Sequence, residues 1–409
     1  MKKKPNLLLL GASGNVSNAF LHYLPHHRDL FNNLILLDKR NNVLSDPYIN
    51  HKALNYKFIK KKINLPEEEN KFISFLKKNK IDIVLDLTDA DSIPLIETVN
   101  KAGINYINTA LNDDKKSDFE LMNEVYPKKK LINKAAHILC SGMNPGVVNM
   151  WVGHGIEKYG VPKEIIHFEY DTSKVSKREV NVVTWSLHEF LVEVVRDPAG
   201  ISIGRYNAKQ MFPDALKNRE DMTPILKPIM KLSKYPKGYL VLHEESLSIS
   251  KKYNIPSRFI YAINPYTMKK LAEIYKKKKN VLKRDLILGD NLHHILDGAD
   301  SIGVVLDYKD KKVYYFNSMP NLNVIGTNGT NLQVIVGVYS ALFTILFNKL
   351  KPGTYFVEDL YDTYYKNYMF DNLRTEQFVF SKANGKLKLK SYIPEVKVKY
   401  KNKLEHFYI

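Results

Sequence analysis

The segment that most constrains the fold lies at the start of the chain. The run Asn6–Leu10 is typical of a buried strand, and Gly11-Ala-Ser-Gly14 follows it directly, before a helical pattern that extends to Leu24. A Gly-x-x-Gly turn between a strand and a helix lets the backbone approach a pyrophosphate, and the N-terminus of such a helix favours negative charge. The segment therefore predicts a phosphate-binding turn. Two ordinary turn glycines are the alternative interpretation.

Short apolar runs recur through the first third of the chain. Leu34–Leu37 and Ile83–Leu87 have strand character, Ile93–Ala102 is helical, and a further strand begins at Tyr106. Apolar runs that alternate with amphipathic helices indicate parallel strands covered on both faces. We therefore predict an α/β protein with a Rossmann-like, doubly wound parallel sheet over residues 1–146, whose ligands bind at the carboxyl ends of the strands.

Several residues at these strand ends are predicted to contact a dinucleotide. Asp38 ends the second strand, where an acid binds the ribose hydroxyls and disfavours a 2′-phosphate, so NAD is expected rather than NADP. A capping or solvent-exposed aspartate is the alternative for this position. The predicted cofactor-binding residues are Gly11, Ser13, Gly14, Asn15, Val16, Asp38, Thr88, Asp89, Thr109, Asn144 and Pro145.

The pattern changes after Gly160. Period-two alternation, as in Ile165–Tyr170 and Ile302–Leu306, predicts an antiparallel sheet with one covered face, in a second, α+β domain over residues 147–329. The apolar helix predicted at 330–350 is expected to pack back on the first domain. The remaining segment, residues 351–409, carries a lysine-rich tail that is either an edge hairpin or loose chain.

Composition narrows the class of protein. Lysine and arginine number 62 against 43 acids, a net charge of +19, which suggests a nucleic-acid partner. The excess is almost all lysine and is scattered, whereas arginine makes the forked contacts to phosphates and bases, so we expect no such partner. The single cysteine, Cys140, excludes an internal disulfide and a thiolate metal cluster, and no apolar run approaches the ~20 residues of a membrane span. We expect a cytoplasmic protein without a metal or a membrane partner.

One stretch combines a tryptophan with acids. Val180–Val195 has a helical pattern, and on one helix Glu189 and Glu193 would share a half with Trp185. An indole face attracts a cation and carboxylates accept its N–H donors, so this pattern is suited to an ammonium ion. A core tryptophan beside solvent-exposed acids is the alternative.

A constrained turn, Ser141-Gly-Met-Asn-Pro-Gly146, separates a short apolar run from a helical pattern. Glycine, asparagine and proline grouped so tightly indicate fixed backbone geometry. Further carboxylates stand at the end of the strand that contains Glu169 and in the segment Asp297–Asp300, just before another strand. These places are candidates for the substrate site.

Several segments together resemble the bacterial homospermidine synthase family, within the saccharopine-dehydrogenase-like enzymes. They follow the family's order from about residue 5 to about residue 360. The segments are SGMNPGVVNMW, VVTWSLHEFLVEV, HEESLSI, RFIYAINPY, DGADSIGVVLDYKDKKVYYFNS and GTNLQVIVGVYSAL.

The resemblance implies a function. The family oxidises putrescine with bound NAD, releases ammonia, condenses the product with a second diamine and returns the hydride, so that homospermidine forms without net oxidation. The family's Asn-Pro-Gly turn sits where nicotinamide meets substrate, Trp185 would be the cation–π platform, and the acids would hold ammonium groups, with either Asp297 or Asp300 at the outer amine. The resemblance also implies a homodimer. The implied catalytic residues are Asn144, Glu169, Trp185, Glu193, Asn264, Asp297 and Asp300.

Two positions depart from the family. Its substrate-binding glutamate corresponds to Asn112 or to Asp113, and its histidine corresponds to Asn264, which cannot shuttle a proton. Two alternatives therefore remain open. One is a saccharopine or carboxynorspermidine dehydrogenase-like oxidoreductase, which would bind substrate carboxylates through Arg196 or Arg205. The other is a catalytically inactive NAD-binding relative.

Overall fold

The computed structural model describes residues 4–204, 208–290 and 295–399. Strands and helices alternate up to residue 160, and the six strands belong to one sheet. They are β1 (Leu7–Leu10), α1 (Asn15–Tyr23), β2 (Leu34–Asp38), α2 (His51–Leu54), β3 (Lys57–Lys60), α3 (Glu69–Lys78), β4 (Ile83–Asp86), α4 (Ser92–Ala102), β5 (Asn105–Asn108), α5 (Asp118–Lys128), β6 (Ala136–Leu139) and α6 (Val147–Tyr159).

The later elements are mostly strands. They are β7 (Glu164–Asp171), β8 (Lys174–Val175), β9 (Val182–Val183), α7 (Leu187–Leu191), β10 (Ala199–Ser202), β11 (Ala208–Phe212), β12 (Arg219–Asp221), α8 (Thr223–Leu226), β13 (Lys237–Val241), α9 (Glu244–Tyr253), β14 (Ser257–Ile263), α10 (Pro265–Lys278), β15 (Ile287–Leu288), β16 (Leu296–Asp297), β17 (Ala299–Asp307), β18 (Lys311–Pro320), α11 (Gly329–Phe347), β19 (Gly353–Phe356), α12 (Tyr364–Asn372), β20 (Glu376–Ala383) and β21 (Lys386–Ile393).

The first sheet has seven strands in the order β19-β6-β5-β4-β1-β2-β3, and every pair is parallel. The four leucines of β1 are at most 1% exposed, because helices cover both faces of this central strand. Strand order reverses between β1 and β4, so their carboxyl ends flank a crevice of the kind that binds nucleotides. The predicted doubly wound sheet is confirmed.

The second sheet has ten strands, of which eight follow the order β11-β10-β14-β7-β17-β18-β20-β21, while β12 and β13 attach through β14. The expectation of a purely antiparallel sheet is wrong for the central pair, because β7 and β14 are parallel. Strand β7 is buried over Ile165–Asp171, so both of its faces are covered. The alternation of residue types in its sequence therefore does not mean that one face is exposed to solvent. The sheet is therefore mixed.

The C-terminal part of the chain is integral to both sheets. Strand β19 pairs with β6 at the edge of the first sheet, and β20 and β21 extend the second sheet as an edge hairpin. The separate segment predicted from residue 351 is thus corrected. Its last residues, 400–409, lie outside the described residues.

Helix α11 joins the two halves. By length and composition it is apolar enough to cross a membrane, but 72% of its 18-residue window is buried inside the protein. It packs against α1 of the first domain, where the Tyr339 hydroxyl donates to the Phe20 carbonyl at 2.8 Å. We therefore regard α11 as a core helix.

The helix predicted over Val180–Val195 is correct only for its second half, because helical structure begins at Leu187. Val182–Val183 pair with β15 as a strand, and Ser186 caps α7 by accepting a hydrogen bond from the Glu189 N–H. The chain then continues as a π-helical turn, Val192–Arg196. A serine side chain that satisfies a first-turn N–H starts a helix, so Trp185 lies before it and not on it.

Candidate active site

The glycine turn after β1 has the geometry of a phosphate cradle. Gly11 has φ +73°, and a Cβ there would lie 2.5 Å from the Leu87 carbonyl oxygen of the neighbouring strand end. Gly14 then begins α1, and its N–H donates to the Gly11 carbonyl at 3.0 Å. The N–H groups of the first turn of α1 have no partners within the helix and face the crevice. The residues present therefore fit a dinucleotide.

Asp38 links the end of β2 to this turn. Its Oδ2 accepts from the Ser13 N–H at 3.0 Å and its Oδ1 accepts from the Arg40 N–H at 2.9 Å. Ser13 Oγ in turn donates to the Arg40 carbonyl at 2.9 Å. Each carboxylate oxygen keeps a second lone pair, so Asp38 remains able to accept from ribose hydroxyls while it orders the turn.

The ends of β4 and β5 contribute polar groups to the same crevice. Thr88 donates from both N–H and Oγ1 to Asp86 Oδ1, at 3.0 and 2.7 Å. Asn112 is buried and donates from Nδ2 to the Thr88 carbonyl at 3.0 Å, while its Oδ1 has no partner among the described residues. Thr109 is half-buried beside them and Asp89 is exposed. Asn112 thus carries a buried acceptor that no described residue satisfies.

The turn after β6 brings Asn144 to the second domain. The Asn144–Pro145 peptide bond is cis and Gly146 has φ +134°. A Cβ on Gly146 would lie 2.2 Å from the Gly142 carbonyl oxygen, so the turn closes only around glycine. Asn144 Nδ2 donates to Glu169 Oε2 at 2.5 Å. This bond joins the carboxyl edge of the first sheet to β7.

Glu169 belongs to a buried group of three carboxylates on one sheet face. Asp300 stands directly opposite Asp171 across the β7–β17 pair, and Glu169 is the diagonal neighbour of Asp300. Asp300 Oδ2 accepts from Thr330 Oγ1 and Asp171 Oδ2 accepts from Thr184 Oγ1, both at 2.7 Å. In the described chain, no basic side chain forms an ion pair with any of the three.

Burial shapes the protonation of this group. It raises the pKa of Glu169 well above its usual value, and the charge of Asp300 raises it further. Burial likewise raises the pKa of Asp300, with the charge of Asp171 as a second cause. Asp300 Oδ1 has no hydrogen-bond partner within the described chain. Carboxylates so placed either hold protons or bind a cationic ligand.

Trp185 stands beside these carboxylates. The indole is half-buried, and its Nε1 donates to the Tyr261 hydroxyl at 3.2 Å. Tyr261 neighbours Glu169 across the β7–β14 pair. Burial and then the charge of Glu169 raise the pKa of Tyr261 well above its usual value. The indole is therefore linked to Glu169 through Tyr261, whereas the predicted helical spacing fails because Trp185 lies just before the helix that carries Glu189 and Glu193.

Two predicted catalytic residues lie elsewhere. Asp297 is half-exposed, accepts from the Gly298 N–H at 2.7 Å and pairs with Lys174 at 3.5 Å. Of the two aspartates left open, only Asp300 reaches the acid group. Asn264 caps α10, because its Oδ1 accepts from the Tyr266 N–H and its Nδ2 donates to the Ser173 carbonyl. Capping a helix that starts with proline therefore accounts for the asparagine at this position.

A second acidic group adjoins the first; the sequence analysis singled out Glu189 and Glu193 but assigned no role to its other members. Glu193 accepts from His243 Nε2 at 3.1 Å, and its charge adds to the raised pKa of Glu169. Burial raises the pKa of Glu189 to about 8, with the charge of Glu193 as the next cause. A signal existed in the sequence, since three ionisable residues, His243-Glu-Glu, open an otherwise well-buried helix. Buried members of this group are Glu193, His243, Glu244, Glu245, Asp118 and Asp197.

This second group is not built as a metal centre. Asp118, His243 and Glu244 have potential ligand atoms within 4.8 Å of one another. Both ring nitrogens of His243 are already hydrogen-bonded to glutamates, Nδ1 to Glu245 and Nε2 to Glu193. The imidazole therefore has no lone pair to give to a metal ion.

One family model and one solved structure agree with this architecture. Residues 7–138 match the family model for the saccharopine dehydrogenase NADP binding domain. The homospermidine synthase of Legionella pneumophila, solved in complex with NAD, has a TM-score of 0.72 and 17% identity, over 90% of this chain and 89% of that chain. An amine dehydrogenase from Mycobacterium smegmatis has a TM-score of 0.41 and 10% identity, over 87% of this chain and 96% of that chain. No curated protein sequence matches the chain. The first structure shows that the two-domain fold is shared.

Proposed function

We propose that the protein is an NAD-dependent enzyme of the homospermidine synthase kind, which converts putrescine and a second diamine into homospermidine and ammonia. One observation carries the proposal. The buried carboxylates Glu169, Asp171 and Asp300 are linked to the Trp185 segment, because Thr184 donates to Asp171 and Trp185 donates to Tyr261, the strand neighbour of Glu169. Such a group of acids, without a basic partner among the described residues, is suited to a cation, because buried charges are least screened by salt.

The cofactor proposal rests on the first turn and on Asp38. Gly11, Gly14 and the N-terminus of α1 would hold the pyrophosphate, and Asp38 would bind the ribose hydroxyls and repel a 2′-phosphate. We therefore propose NAD, although the matching family model is named for NADP. When bound, NAD accepts a hydride and gives it back.

The pocket residues have distinct roles toward a diamine. The indole of Trp185 would face an ammonium group, and the carboxylates would accept its N–H donors. Asn144, which holds Glu169 by the 2.5 Å hydrogen bond, orients that carboxylate at the interface. Asn112 Oδ1 supplies a further acceptor in the crevice. Together these groups would hold an extended dication between the domains.

Proton transfer follows from the raised pKa of Glu169. An ammonium group has no lone pair with which to expel a hydride, and its pKa in water is near that of lysine, ~10.4. The Glu169 carboxylate would take that proton and leave a neutral amine, which is the form that gives up hydride. Because burial raises the pKa of Glu169, the carboxylate is a stronger base than one in water. The same burial shields an imine from hydrolysis.

The dehydrogenase alternative requires a cation for a substrate carboxylate. The Arg196 guanidinium donates to the carbonyls of Asp113, Asp114 and Lys116 and lies 3.5 Å from Asp197 of the second acidic group. Among the described residues it forms no ion pair with Glu169, Asp171 or Asp300. Arg205 lies outside the described residues. The pocket's anionic lining favours a diamine over an amino acid. An inactive relative is favoured only by Asn112 and Asn264 in place of the family's glutamate and histidine.

The direct test is product analysis. Purified protein with NAD and putrescine is expected to form homospermidine and ammonia in equal amounts, detected by mass spectrometry and an ammonia assay. E169Q should lose this activity, whereas D297N is the matched control because Asp297 lies outside the acid group. Bound NAD without either product would contradict the proposal. We also propose a cytoplasmic homodimer, which size-exclusion chromatography with light scattering tests for its oligomeric state.

A further inference from the structure

His243 sits in an unusual environment for a histidine. It directly precedes α9, is 3% exposed and packs its ring against Phe259 at 5.1 Å. Its Nε2 lies 3.1 Å from Glu193 Oε1, and its Nδ1 is bonded to Glu245 and lies 3.2 Å from Glu244 Oε2. With Glu193 and Glu245 both ionised, each carboxylate only accepts hydrogen bonds, and both ring nitrogens then donate. A ring with two N–H donors is the imidazolium.

The surrounding charges agree with that state. Glu244 and Glu245 face the ring from its own helix, Glu193 from the π-helical turn, and Asp118 from α5 of the first domain. His167 of β7, which pairs with Phe259 across β7 and β14, is kept neutral because burial lowers its pKa to about 4. Burial alone would lower the pKa of His243, but the charges of Glu245, Glu193 and Glu244 raise it well above its usual value. Asp197 lies one step further out, where it accepts from the Asp118 N–H at 3.0 Å.

Glu193 connects this histidine to the substrate pocket. Burial raises the pKa of Glu193, while the charge of His243 and its hydrogen bond lower it. Geometry connects the two groups as well, because His243 packs on Phe259, which stacks on Tyr261 at 6.0 Å, and Tyr261 pairs with Glu169 across β7 and β14. The charge of Glu193 also contributes to the raised pKa of Glu169 and Glu189. His243 is the only basic side chain bonded to Glu193 in the described chain.

We propose that His243, as a buried imidazolium, keeps Glu193 ionised and thereby makes Glu193 a resident anion of the cation pocket. The proposal rests on the proposed diamine chemistry for its consequence, but the charge state of His243 is a property of the protein alone. His243 is a positioning residue, since it acts through Glu193 and does not touch the substrate.

The proposal predicts that loss of the His243 charge weakens the binding of a cationic substrate. Removing a positive charge near a cationic substrate should tighten binding if simple repulsion governs. If His243 instead holds Glu193 ionised, a neutral side chain lets Glu193 take up a proton, and the ammonium loses an anionic partner. Binding then weakens at neutral pH and recovers as rising pH ionises Glu193 again. The chemical step at Glu169 is largely unaffected, so KM changes more than kcat.

The experiment compares H243Q with wild type for KM and kcat toward putrescine between pH 7 and 9. We expect KM to rise about tenfold at pH 7, because Glu193 without its cationic partner takes up a proton, and to fall back toward the wild-type value as pH rises to 9. The control is H154Q, since His154 contacts Tyr315 and no carboxylate within hydrogen-bond distance in the described chain. Its KM should follow the wild-type pH profile. An unchanged or lower KM in H243Q would overturn the proposal.

A second measurement does not depend on turnover. Ring-¹⁵N-labelled histidine in the wild-type protein should show one imidazolium that persists at pH 8 without substrate, and the signal should be missing from H243Q. If H243Q does not fold, E193Q serves instead, with the same rise in KM at pH 7 but no recovery at pH 9. A neutral imidazole at pH 8 would refute the proposal, whatever the reaction proves to be. A persistent imidazolium in a protein that makes no homospermidine would leave the charge assignment standing and remove only the diamine function.

Discussion

Asn144 and Glu169 belong to different domains and meet through one short hydrogen bond, Nδ2 to Oε2 at 2.5 Å. Asn144 follows the last strand of the parallel sheet before the crossover, and Glu169 lies on β7 at the centre of the second sheet. The bond therefore fixes the position of the carboxylate group relative to the nucleotide crevice. Several measurements test whether the chemistry depends on this position and on the charges around it.

Removing the Asn144 amide is expected to impair the reaction more than the fold. Hydrogen bonds to charged groups contribute about 1.5–3 kcal/mol, so N144A should lower kcat/KM roughly 10- to 150-fold. The melting temperature should change little, because Asn144 is only half-buried. Steady-state kinetics with putrescine and a thermal melt measure the two effects. A wild-type kcat/KM in N144A would show that the bond does not organise the site.

Trp185 should contribute through the face of its indole. A partly desolvated cation–π contact is worth about 1–2 kcal/mol, so W185A is expected to raise KM for putrescine roughly 5- to 30-fold. W185F keeps an aromatic face, although a weaker one, and should recover part of the loss. Both variants lose the hydrogen bond to Tyr261, so the difference between them isolates the ring. Equal KM values in the two variants would argue against a cation at this position.

Gly103 is a matched control for Gly11, because it separates the effect of backbone strain from the effect of a steric clash with an added Cβ. Gly11 has φ +73° with the Leu87 carbonyl in the way of a Cβ, whereas Gly103 has φ +71° with open space around it. G103A should cost only the strain of left-handed backbone, about 1–2 kcal/mol. G11A should in addition displace the turn and weaken NAD binding roughly tenfold or more. Calorimetric titration with NAD and thermal melts of both variants decide whether the cradle is needed.

The buried acids make stability depend on pH in a predictable direction. Burial raises the pKa of Glu189 to about 8 in the folded protein, against an ordinary value near 4.5. Between these values the folded state holds a proton that the unfolded state has released, so stability falls as pH rises from about 4.5 through 8. E189Q should therefore be as stable as wild type at pH 4.5 and more stable at pH 9. Denaturant unfolding at both pH values measures this, and a wild-type slope in E189Q would contradict the raised pKa.

Much of the fold could be read from local patterns. The strand Leu7–Leu10, the turn at Gly11 and the helix from Asn15 are consecutive in sequence, and their geometry is set by local sterics and hydrophobic period. Two strands of the same sheet escaped prediction. Lys57–Lys60 is an exposed edge strand, and Gly353–Phe356 joins β6 from more than 200 residues away. Neither has an apolar pattern of its own.

The features of the candidate site likewise fall into those that the local sequence determined and those that the fold determined. The sequence by itself determined which segments carry the glycine turn, the constrained Asn-Pro-Gly turn and the acids, because those depend on residue type and near neighbours. Tertiary structure alone decided that Asp300 and not Asp297 joins Glu169, because strand register places Asp300 opposite Asp171. It likewise decided that Asn264 is a helix cap and that His243 lies against Glu193, fifty residues earlier in the chain. Electrostatic fields act through space, and only the folded chain brings these charges within reach of each other.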